Sequence, residues 1–432
     1  MRWLREFRSK WVPGAAAGMV LAGAAAAARA EAPPQFVPLG DLQGGAFASF
    51  AFGVSGNGQV VVGMGTPSSG SAAFRATSQG MFVVSGGSGN ATLSAWGASK
   101  DGSIIVGRVL SAAGNGAFRW QLNVGATVLG DLPGGTYDAI AYGVSADGSV
   151  VVGQGRSASG TEAFRWTSAG GMVGLGDLFG GIFDSRAWDV SADGTTAVGS
   201  AASAEGTVAV RWVGTGAAQS LDYLPGLISP RFSSAQGVNR DGSVIVGYST
   251  SVFGYEAFRW TQFTGMVPLG VIPGYENSYA LATSGDGNVI VGYCDSALVQ
   301  STAMVWSPAF GIEPLYDRLV AQGVMNLAGW TLLSATGVSS DGRVIVGTGI
   351  DPMGQSQAWK VVYPACLADF DGIDGITVTD LFLFLDAWFA QFGQLQQPLP
   401  APLLTADVVR DGVVDVTDLF EFLDKWFDGC GV

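Results

Sequence analysis

The stretch AYGVSADGSVVVGQGRSASGTEAFRWTSAGGMVGLGDL, residues 141–178, contains one complete copy of the unit that decides the fold. AYGV is followed by Asp147-Gly148, a pair that closes β-hairpins because Gly accepts the positive φ of a tight turn. SVVVGQG is too rich in β-branched residues for a helix, and TEAFRWT alternates large apolar and polar side chains. With GMVGLGDL as a fourth segment, the stretch predicts four short strands in one sheet.

The hairpin turn recurs seven times along the chain. The turns begin at Asn57, Asp101, Asp147, Asp193, Asp241, Asp286 and Asp341. Their spacings of 44, 46, 46, 48, 45 and 55 residues mostly match a four-stranded propeller blade of roughly 40–50 residues. The pattern predicts an all-β fold, a seven-bladed β-propeller with four strands in each blade.

The two ends of the repeat region predict how the array closes. FVPLGDL at 36–42 matches only a fourth strand, and QAWKVVY at 357–363 matches only a third. We expect these two strands to pair, which closes a ring and removes exposed sheet edges. An open solenoid is the alternative. The fourth strands are expected to begin near Phe36, Met81, Thr127, Met172, Gln219, Met266 and Gly311.

Residues 1–30 have the features of a secretory signal peptide. A basic head is followed by the apolar residues 14–28 and by Ala28-Arg29-Ala30, which fits a cleavage site. The apolar run is short for a membrane anchor, the alternative, which needs about 20 strongly apolar residues. Cleavage near Ala30 predicts a secreted or cell-surface protein without a membrane span, and it lowers the net charge from −14 to −18. Nucleic acid and anionic membranes are unfavourable partners for such a chain.

The composition changes after Tyr363, which predicts a propeller over 31–363 and a separate module over 364–432. LADFDGIDGITVTDLFLFLDAWFA (367–390) and TADVVRDGVVDVTDLFEFLDKWFD (405–428) match at an offset of 38 residues. Each is an acidic loop that leads into an amphipathic helix. The prolines between the two segments predict a linker over 391–405.

The two acidic loops carry residue types that bind Ca²⁺, a hard cation that prefers oxygen ligands in twelve-residue loops. The candidate ligands are Asp369, Asp371, Thr377 and Asp380 in the first loop and Asp407, Asp411, Asp415 and Asp418 in the second. Each loop lacks one ligand, at Ile373 and at Val409. The alternative is a pair of loops that only cap the helices with Asp.

Residues 364–432 resemble a dockerin module of the bacterial variety framed by Cys366 and by a terminal Gly429-Cys430. The resemblance implies two loop–helix calcium motifs related by an approximate twofold axis, which attach a secreted protein to an extracellular partner such as a cohesin. Cys366 and Cys430 bracket this module, and a disulfide between them would stabilise it by roughly 3–5 kcal/mol. Cys294 is predicted to be a buried apolar thiol, with a reactive thiol as the alternative.

The repeats resemble the HAF family of extracellular repeats. Its units carry an AFRW-type strand, an LGDLPGG-type turn and a GVSADGSVVVG-type hairpin, which stand here at 163–166, 129–135 and 143–153. The resemblance covers about 36–363. It implies export and a β-propeller-like fold, and it brings no established reaction.

Several catalytic classes are excluded by composition. The sequence contains no His, so Ser-His-Asp, Cys-His and His-ligated zinc centres cannot form within this chain. The Gly-rich stretch at 86–90 precedes a strand and lacks the Lys of a phosphate loop. A carboxylate pair for glycoside hydrolysis remains an alternative.

Aromatic residues in the loops between successive repeats are the candidate ligand-binding residues. These loops should gather on one face around the central channel, and aromatic rings there suit sugars or an extended peptide. The candidates are Tyr137, Phe183, Tyr275 and Trp330, and the alternative is that they fill the loop bases as core. The arginines of the third strands, Arg75, Arg119, Arg165, Arg211 and Arg259, are expected to donate hydrogen bonds between blades.

These patterns predict an exported, non-enzymatic binding or scaffold protein attached to an extracellular protein partner through a calcium module. A glycan or a peptide is the expected ligand of the propeller face. The alternatives are a secreted carbohydrate-active enzyme displayed by the same module and a purely structural surface protein.

Overall fold

The computed structural model describes residues 33–85, 92–226, 231–364, 378–391, 406, 408, 414 and 416–428. This part of the chain is mostly β. None of the helices described is long and apolar enough to cross a membrane. The predicted signal peptide and the Gly-rich stretch at 86–90 lie outside the described residues.

The described residues contain 28 strands, which pair antiparallel with their sequence neighbours in seven groups. The first three groups are β2 (Ser49–Val54), β3 (Val61–Gly65), β4 (Ala72–Thr77) and β5 (Gly80–Val83); β6 (Thr92–Ala98), β7 (Ile104–Ser111), β8 (Gly114–Gln121) and β9 (Gly125–Val128); and β10 (Ile140–Val144), β11 (Val150–Ser157), β12 (Gly160–Thr167) and β13 (Gly171–Gly174). The next two are β14 (Gly180–Val190), β15 (Thr196–Ser203), β16 (Gly206–Val213) and β17 (Gln219–Ser220); and β18 (Arg231–Val238), β19 (Val244–Ser251), β20 (Gly254–Thr261) and β21 (Gly265–Gly270). The last two are β22 (Asn277–Thr283), β23 (Ile290–Asp295), β24 (Thr302–Ser307) and β25 (Gly311–Pro314); and β26 (Thr331–Val338), β27 (Val344–Ile350), β28 (Ser356–Val362) and β1 (Gln35–Gly40).

The positions of the fourth strands agree with the sequence prediction. Each of β5, β9, β13, β17, β21 and β25 begins within two residues of its expected start, and so does β1. Short parallel bridges connect the third, fourth and fifth groups, at Thr161 with Asp184 and at Gly206 with Arg231. The groups are therefore four-stranded units in chain order.

The predicted pairing of the two terminal strands is confirmed. β1 lies antiparallel to β28, with Val37 opposite Lys360. Phe36 of β1 is buried and packs edge-on against Trp330, with 5.0 Å between ring centroids, and at 6.2 Å from Trp359. The start and end of the repeat region thus share one sheet and one hydrophobic cluster.

The repeated turn is built by its Ser and Asp side chains. In the third group, Ser145 is fully buried, donates its hydroxyl to Asp147 Oδ1 (2.7 Å) and accepts from the N–H of Val150 (3.0 Å). Gly148 has φ +72°, and a Cβ there would come within 2.5 Å of Ile104 in the preceding group. Glycine is therefore required both by the turn and by the close approach of two sheets.

Backbone hydrogen bonds also join the groups to one another at these turns. One residue near the turn of each group donates its backbone N–H to the backbone C=O of the corresponding residue in the next group. Ser340 of the last group donates to Gly56 of the first, and the N···O distances are 2.8–3.3 Å. The donors are, in order, Asn57, Lys100, Ala146, Ala192, Arg240, Gly285 and Ser340. The hydrogen bonds form a continuous set that returns from the last group to the first, and we call it the hydrogen-bond ring.

The expected role of the third-strand arginines is confirmed for three of the five. Arg119, Arg165 and Arg259 each donate to the carbonyl oxygen of the turn glycine in the following group, at 3.2 Å. Arg211 instead lies over the Trp260 ring and donates to the Gln219 side chain. These arginines connect neighbouring sheets and do not form a ring of ligand-binding groups.

The long connection before the last repeat, over 317–334, contains regular structure. Helix α1 (Leu315–Ala321) begins just before it, and β26 begins within it at Thr331. Leu315 and Leu319 are fully buried in the same cluster as Phe36. The apolar side chains of the helix pack into the hydrophobic cluster that lies between this sheet and the preceding one.

The C-terminal segment contributes two helices, α2 (Val378–Gln391) and α3 (Val416–Asp428). Phe384 and Phe422, which are equivalent residues of the duplicated sequence, stack with ring centroids 3.9 Å apart and 2° between planes. Both are fully buried, in a cluster that also contains Trp388. The duplicated helices therefore pack through the same residue of each copy.

Candidate ligand-binding channel

The first strand of each group faces a central channel of about 540 Å³. Each of these strands, β2, β6, β10, β14, β18, β22 and β26, carries a β-bulge at the channel. Glycine occupies the bulge in five of them because the neighbouring backbone is close: a Cβ on Gly97 would lie 2.7 Å from the Tyr142 carbonyl oxygen. The bulges aim the preceding side chain into the channel wall.

Four aromatic side chains from four successive first strands form one wall of the channel. Phe52 and Trp96 stack at 4.5 Å, Trp96 meets Tyr142 edge-on at 5.7 Å, and Tyr142 lies 4.6 Å from Trp188. The four residues occupy the same position of the repeat. We call Phe52, Trp96, Tyr142 and Trp188 the aromatic arc.

The remaining three first strands place smaller or polar side chains at this position. Gln236, Leu281 and Thr336 line the wall that completes the channel. Gln236 donates its amide to Ser234 Oγ (2.7 Å), and Thr336 donates its hydroxyl to the carbonyl of Ala51 (2.9 Å). The channel is thus aromatic on one side and polar or aliphatic on the other.

Asp189 stands where most other first strands have glycine. Its carboxylate accepts hydrogen bonds from the N–H of Val190 (2.8 Å) and, across the gap to the next sheet, from the N–H of Val238 (3.0 Å). Desolvation by the packed strands raises the pKa of Asp189 to about 6, although both backbone donors lower it. Asp189 is the only carboxylate among the described residues that line the channel.

The pKa of Tyr142 reflects its burial and three charged neighbours. Burial raises the pKa of Tyr142 to about 12, the positive charges of Arg186 and Arg108 work against this rise, and the negative charge of Asp138 adds to it. The Tyr142 hydroxyl donates to Gln154 Oε1 (3.3 Å). Arg186 is paired with Asp184 at 3.1 Å, whereas the buried Nε of Arg108 has no acceptor among the described residues.

The indole groups of the arc add further hydrogen-bond donors. The Nε1 atoms of Trp96 and Trp188 are buried without an acceptor in the described part of the chain. A buried donor without a partner costs about 1–3 kcal/mol. This wall of the channel is therefore rich in unsatisfied donors.

The aromatic residues predicted from the loops lie elsewhere, and the described channel lining contains none of them. Tyr137 is 38% exposed and its hydroxyl lies against Gly116 of β8, while Phe183 is half-buried beside Gly160. Tyr275 and Trp330 are brought together in a surface groove of about 640 Å³. Trp330 is only 9% exposed because the terminal strand β1 packs onto it, so this ring fills the core, as in the alternative interpretation of the sequence.

The residues of the aromatic arc were missed by sequence reasoning, although a signal was present. All four follow an alanine in the first strand, as in Ala95-Trp96 and Ala141-Tyr142. Aligning the repeats on that alanine shows an aromatic residue in four consecutive copies. The signal was overlooked because aromatic residues in a strand ordinarily indicate packing between sheets.

Most of the predicted calcium ligands lie outside the described residues, namely Asp369, Asp371, Thr377, Asp407, Asp411 and Asp415. Asp380 and Asp418 are described, stand in the first turns of α2 and α3, and are fully buried. A group of three or more potential metal ligands is not found within the described residues. The predicted disulfide partners Cys366 and Cys430 also lie outside them. Cys294 is fully buried, as expected, and burial raises the pKa of its thiol to about 11.

No protein-family model matches the chain, and no curated protein matches it in sequence. Among solved structures, it is similar to an oligogalacturonate lyase from Vibrio parahaemolyticus, with 10% identity over 77% of this chain and 99% of that chain and a TM-score of 0.48. It is also similar to a putative TolB from Agrobacterium tumefaciens, with 15% identity over 66% of this chain and 94% of that chain and a TM-score of 0.41. Both are β-propeller folds.

Proposed function

We propose that the seven groups of strands are the blades of a closed β-propeller of the HAF type. Two features of the chain support closure: the antiparallel pairing of β1 with β28 and the hydrogen-bond ring, which returns from Ser340 to Gly56. A third is the hydroxyl of Ser49 in the first group, which accepts from the N–H of Ala358 in the last at 3.1 Å. Each contact joins residues about 300 positions apart in sequence.

We further propose that this propeller is an exported, non-enzymatic binding or scaffold protein. The observation that carries the proposal is the aromatic arc, which faces Gln236 and Thr336 across a channel of about 540 Å³. Small-molecule pockets typically have volumes of roughly 300–1,000 Å³ and combine apolar walls with a few polar groups. Glycoside hydrolysis ordinarily needs two carboxyl groups, whereas the described lining has Asp189 alone.

Glycan and peptide arrays probed with the full chain test this function. Trp96→Leu with Trp188→Gln is the informative variant, because Leu281 and Gln236 already occupy the same position in other repeats. We expect the pair to abolish retention of any ligand with little change in thermal stability. Phe263→Ser, which removes a ring that is 97% exposed, is the matched control and should retain binding. Retention that survives the paired substitution would place the ligand site outside the channel.

The C-terminal segment is proposed to be a dockerin-like calcium module that attaches the propeller to an extracellular protein. Asp380 and Asp418 are equivalent residues of the duplication, and both carboxylates are fully buried at helix starts. Together with the residues of the acidic loops, they would supply the oxygen ligands that Ca²⁺ prefers.

Calcium titration of the full chain, followed by circular dichroism and calorimetry, tests the module. We expect Ca²⁺ to increase the helical signal. Its dissociation constant should be no larger than those of weak extracellular sites, about 10⁻⁴–10⁻³ M. Asp380→Asn with Asp418→Asn should remove the response, while Asp386→Asn, further along α2, should not. If neither heat nor a spectral change is detected up to millimolar Ca²⁺, the acidic loops only cap the helices. Export is tested separately, by the mass of the secreted chain, which should begin near residue 31.

A further inference from the structure

We propose that the ligand of the channel carries a carboxylate attached to a six-membered ring, with the ring against the aromatic arc and the carboxylate beside Arg108 and Arg186. This inference rests on the proposed binding function and names the chemical class of its ligand. It concerns the side of the channel formed by β6, β7, β10 and β14.

The side chains on this side offer donors and have few free acceptors. Trp96 and Trp188 each present an indole N–H without an acceptor among the described residues, and Arg108 presents a guanidinium Nε in the same condition. The nearby acceptors are already used: Gln154 accepts from Tyr142, Asp189 accepts from two backbone N–H groups, and Asp138 accepts from Asn115 and pairs with Arg156. A ligand that satisfies such a wall must be rich in acceptors, and a carboxylate supplies up to four lone pairs.

The register of the strands places two arginines on or next to the strands that carry the aromatic arc. Arg108 occupies the position in β7 that Gln154, the partner of Tyr142, occupies in β11, since both follow the Val-Gly pair of the second strand. Arg186 precedes Trp188 by two residues in β14. Both arginines lower the pKa of Tyr142, while the nearby Asp138 raises it.

The local charge also stands out against the rest of the molecule. The chain has a net charge of −14, so an anion is repelled from most of the surface. Asp184 neutralises part of Arg186 at 3.1 Å, whereas no carboxylate pairs with Arg108 among the described residues. Arg108 is therefore the cation expected to contribute most to anion recognition. Charge-assisted hydrogen bonds in such a setting are about twice as strong as neutral ones.

Two matched pairs of compounds test the ligand class with the full chain. Glucuronate and glucose differ only at one carbon of a sugar, and benzoate and benzyl alcohol differ in the same way on an aromatic ring. Binding is measured by tryptophan fluorescence and calorimetry at low and high salt. We expect at least one acid to bind at least about tenfold more tightly than its neutral partner, with the preference reduced by salt. Which acid is preferred distinguishes a sugar acid from an aromatic acid.

Substitutions that copy other repeats isolate the role of charge. Arg108→Gln reproduces the residue at Gln154, and Arg186→Ser reproduces Ser94 of β6. We expect Arg108→Gln to weaken acid binding at least about tenfold, to leave the neutral compounds unaffected and to preserve the melting temperature. Arg231→Gln removes an arginine paired with Glu205 outside the channel and should leave binding unchanged.

The outcomes distinguish a failure of the carboxylate inference from a failure of the proposed binding channel. Equal binding of acid and neutral compounds that is lost in Trp96→Leu with Trp188→Gln would overturn the charge inference and leave the binding channel standing. Acid binding that is insensitive to both the arginine and the tryptophan substitutions would overturn the inference and the channel site together. Failure of both acids to bind up to about 10 mM would also overturn the carboxylate inference.

Discussion

Single residues that differ between the repeats carry the chemistry of the channel, and Asp189 is the clearest case. Its counterparts in the other first strands are mostly glycine, which has no side chain to hydrate. The carboxylate of Asp189 is desolvated and accepts a hydrogen bond from the N–H of Val238 in the next sheet. Desolvation raises its pKa to about 6, from an ordinary value of about 3.9. The folded state therefore binds a proton that the unfolded state releases between about pH 4 and pH 6.

The first prediction concerns the pH dependence of stability. Because the folded pKa of Asp189 is raised, its contribution to the free energy of unfolding is fully present below about pH 4 and falls as pH rises through about 6, by about 2 kcal/mol from pH 4 to pH 7. The stability difference between the unsubstituted chain and Asp189→Asn should decrease by that amount from pH 4 to 7. Denaturant unfolding at several pH values measures it.

The control is Asp147, whose contribution to stability should change with pH in the opposite direction. Hydrogen bonds from Ser145 and Ser149 hold the pKa of Asp147 below its ordinary value. Asp147 therefore stabilises the fold above the unfolded pKa and loses that contribution as pH falls. Asp147→Asn copies Asn57 of the first repeat, and the advantage of the unsubstituted chain over it should grow with pH. A parallel trend for both aspartates would contradict the assignment of Asp189.

The second prediction concerns the serine of the turn. Ser145→Ala leaves the buried N–H of Val150 without its acceptor, which should lower the free energy of unfolding by about 1–3 kcal/mol. Ser145→Asn should lose less, because Asn239 accepts from Val244 at 2.9 Å in the fifth repeat. Equilibrium denaturation of the two variants provides the measurement. Equal losses would show that the acceptor is not what the turn requires.

At the scale of elements, strand order followed from the sequence because the repeats encode local turns. The Asp147 and Ser145 side chains close the hairpin with residues near them in sequence, and the fourth strands began within two residues of expectation. Trp330 did not follow, because its burial depends on β1, about 290 residues earlier in the chain. The aromatic arc was not recognised because period-2 patterns do not tell a channel face from a face between sheets. Helix α1 was missed because a connection of unusual length gives no repeat to align.

The third prediction tests the corrected role of Trp330. The ring is buried against Phe36, so Trp330→Ala should cost about 3–5 kcal/mol and lower the melting temperature strongly. Met325→Ala, in the same connection but 89% exposed, should change stability little. If Trp330→Ala instead left the melting temperature unchanged and removed ligand retention, the groove it shares with Tyr275 would be the recognition surface.

At the scale of the whole molecule, a repetitive scaffold surrounds a channel that is not symmetric. The turn glycines, the inter-sheet arginines and the hydrogen-bond ring recur from group to group, so they specify the architecture several times over. The residue after the first-strand alanine varies instead, from Phe52 and Trp96 to Gln236 and Thr336. Substitutions at that position should therefore change recognition more than folding, while substitutions in the recurring contacts should do the reverse.

The last prediction concerns closure, which concentrates at β1. A chain that begins at residue 42 lacks β1 and leaves β28 with an open edge, whereas a chain that begins at residue 33 retains the pairing. Part of the loss comes from Phe36 alone, since truncating a buried Phe costs about 3–5 kcal/mol. The shortened chain should therefore be less stable than Phe36→Ala in the chain that begins at residue 33, and its exposed edge should favour association. Calorimetry and light scattering of the three chains measure both effects. A shortened chain that matches Phe36→Ala in melting temperature and stays monomeric would mean that the terminal pairing adds nothing to the fold beyond the burial of one ring.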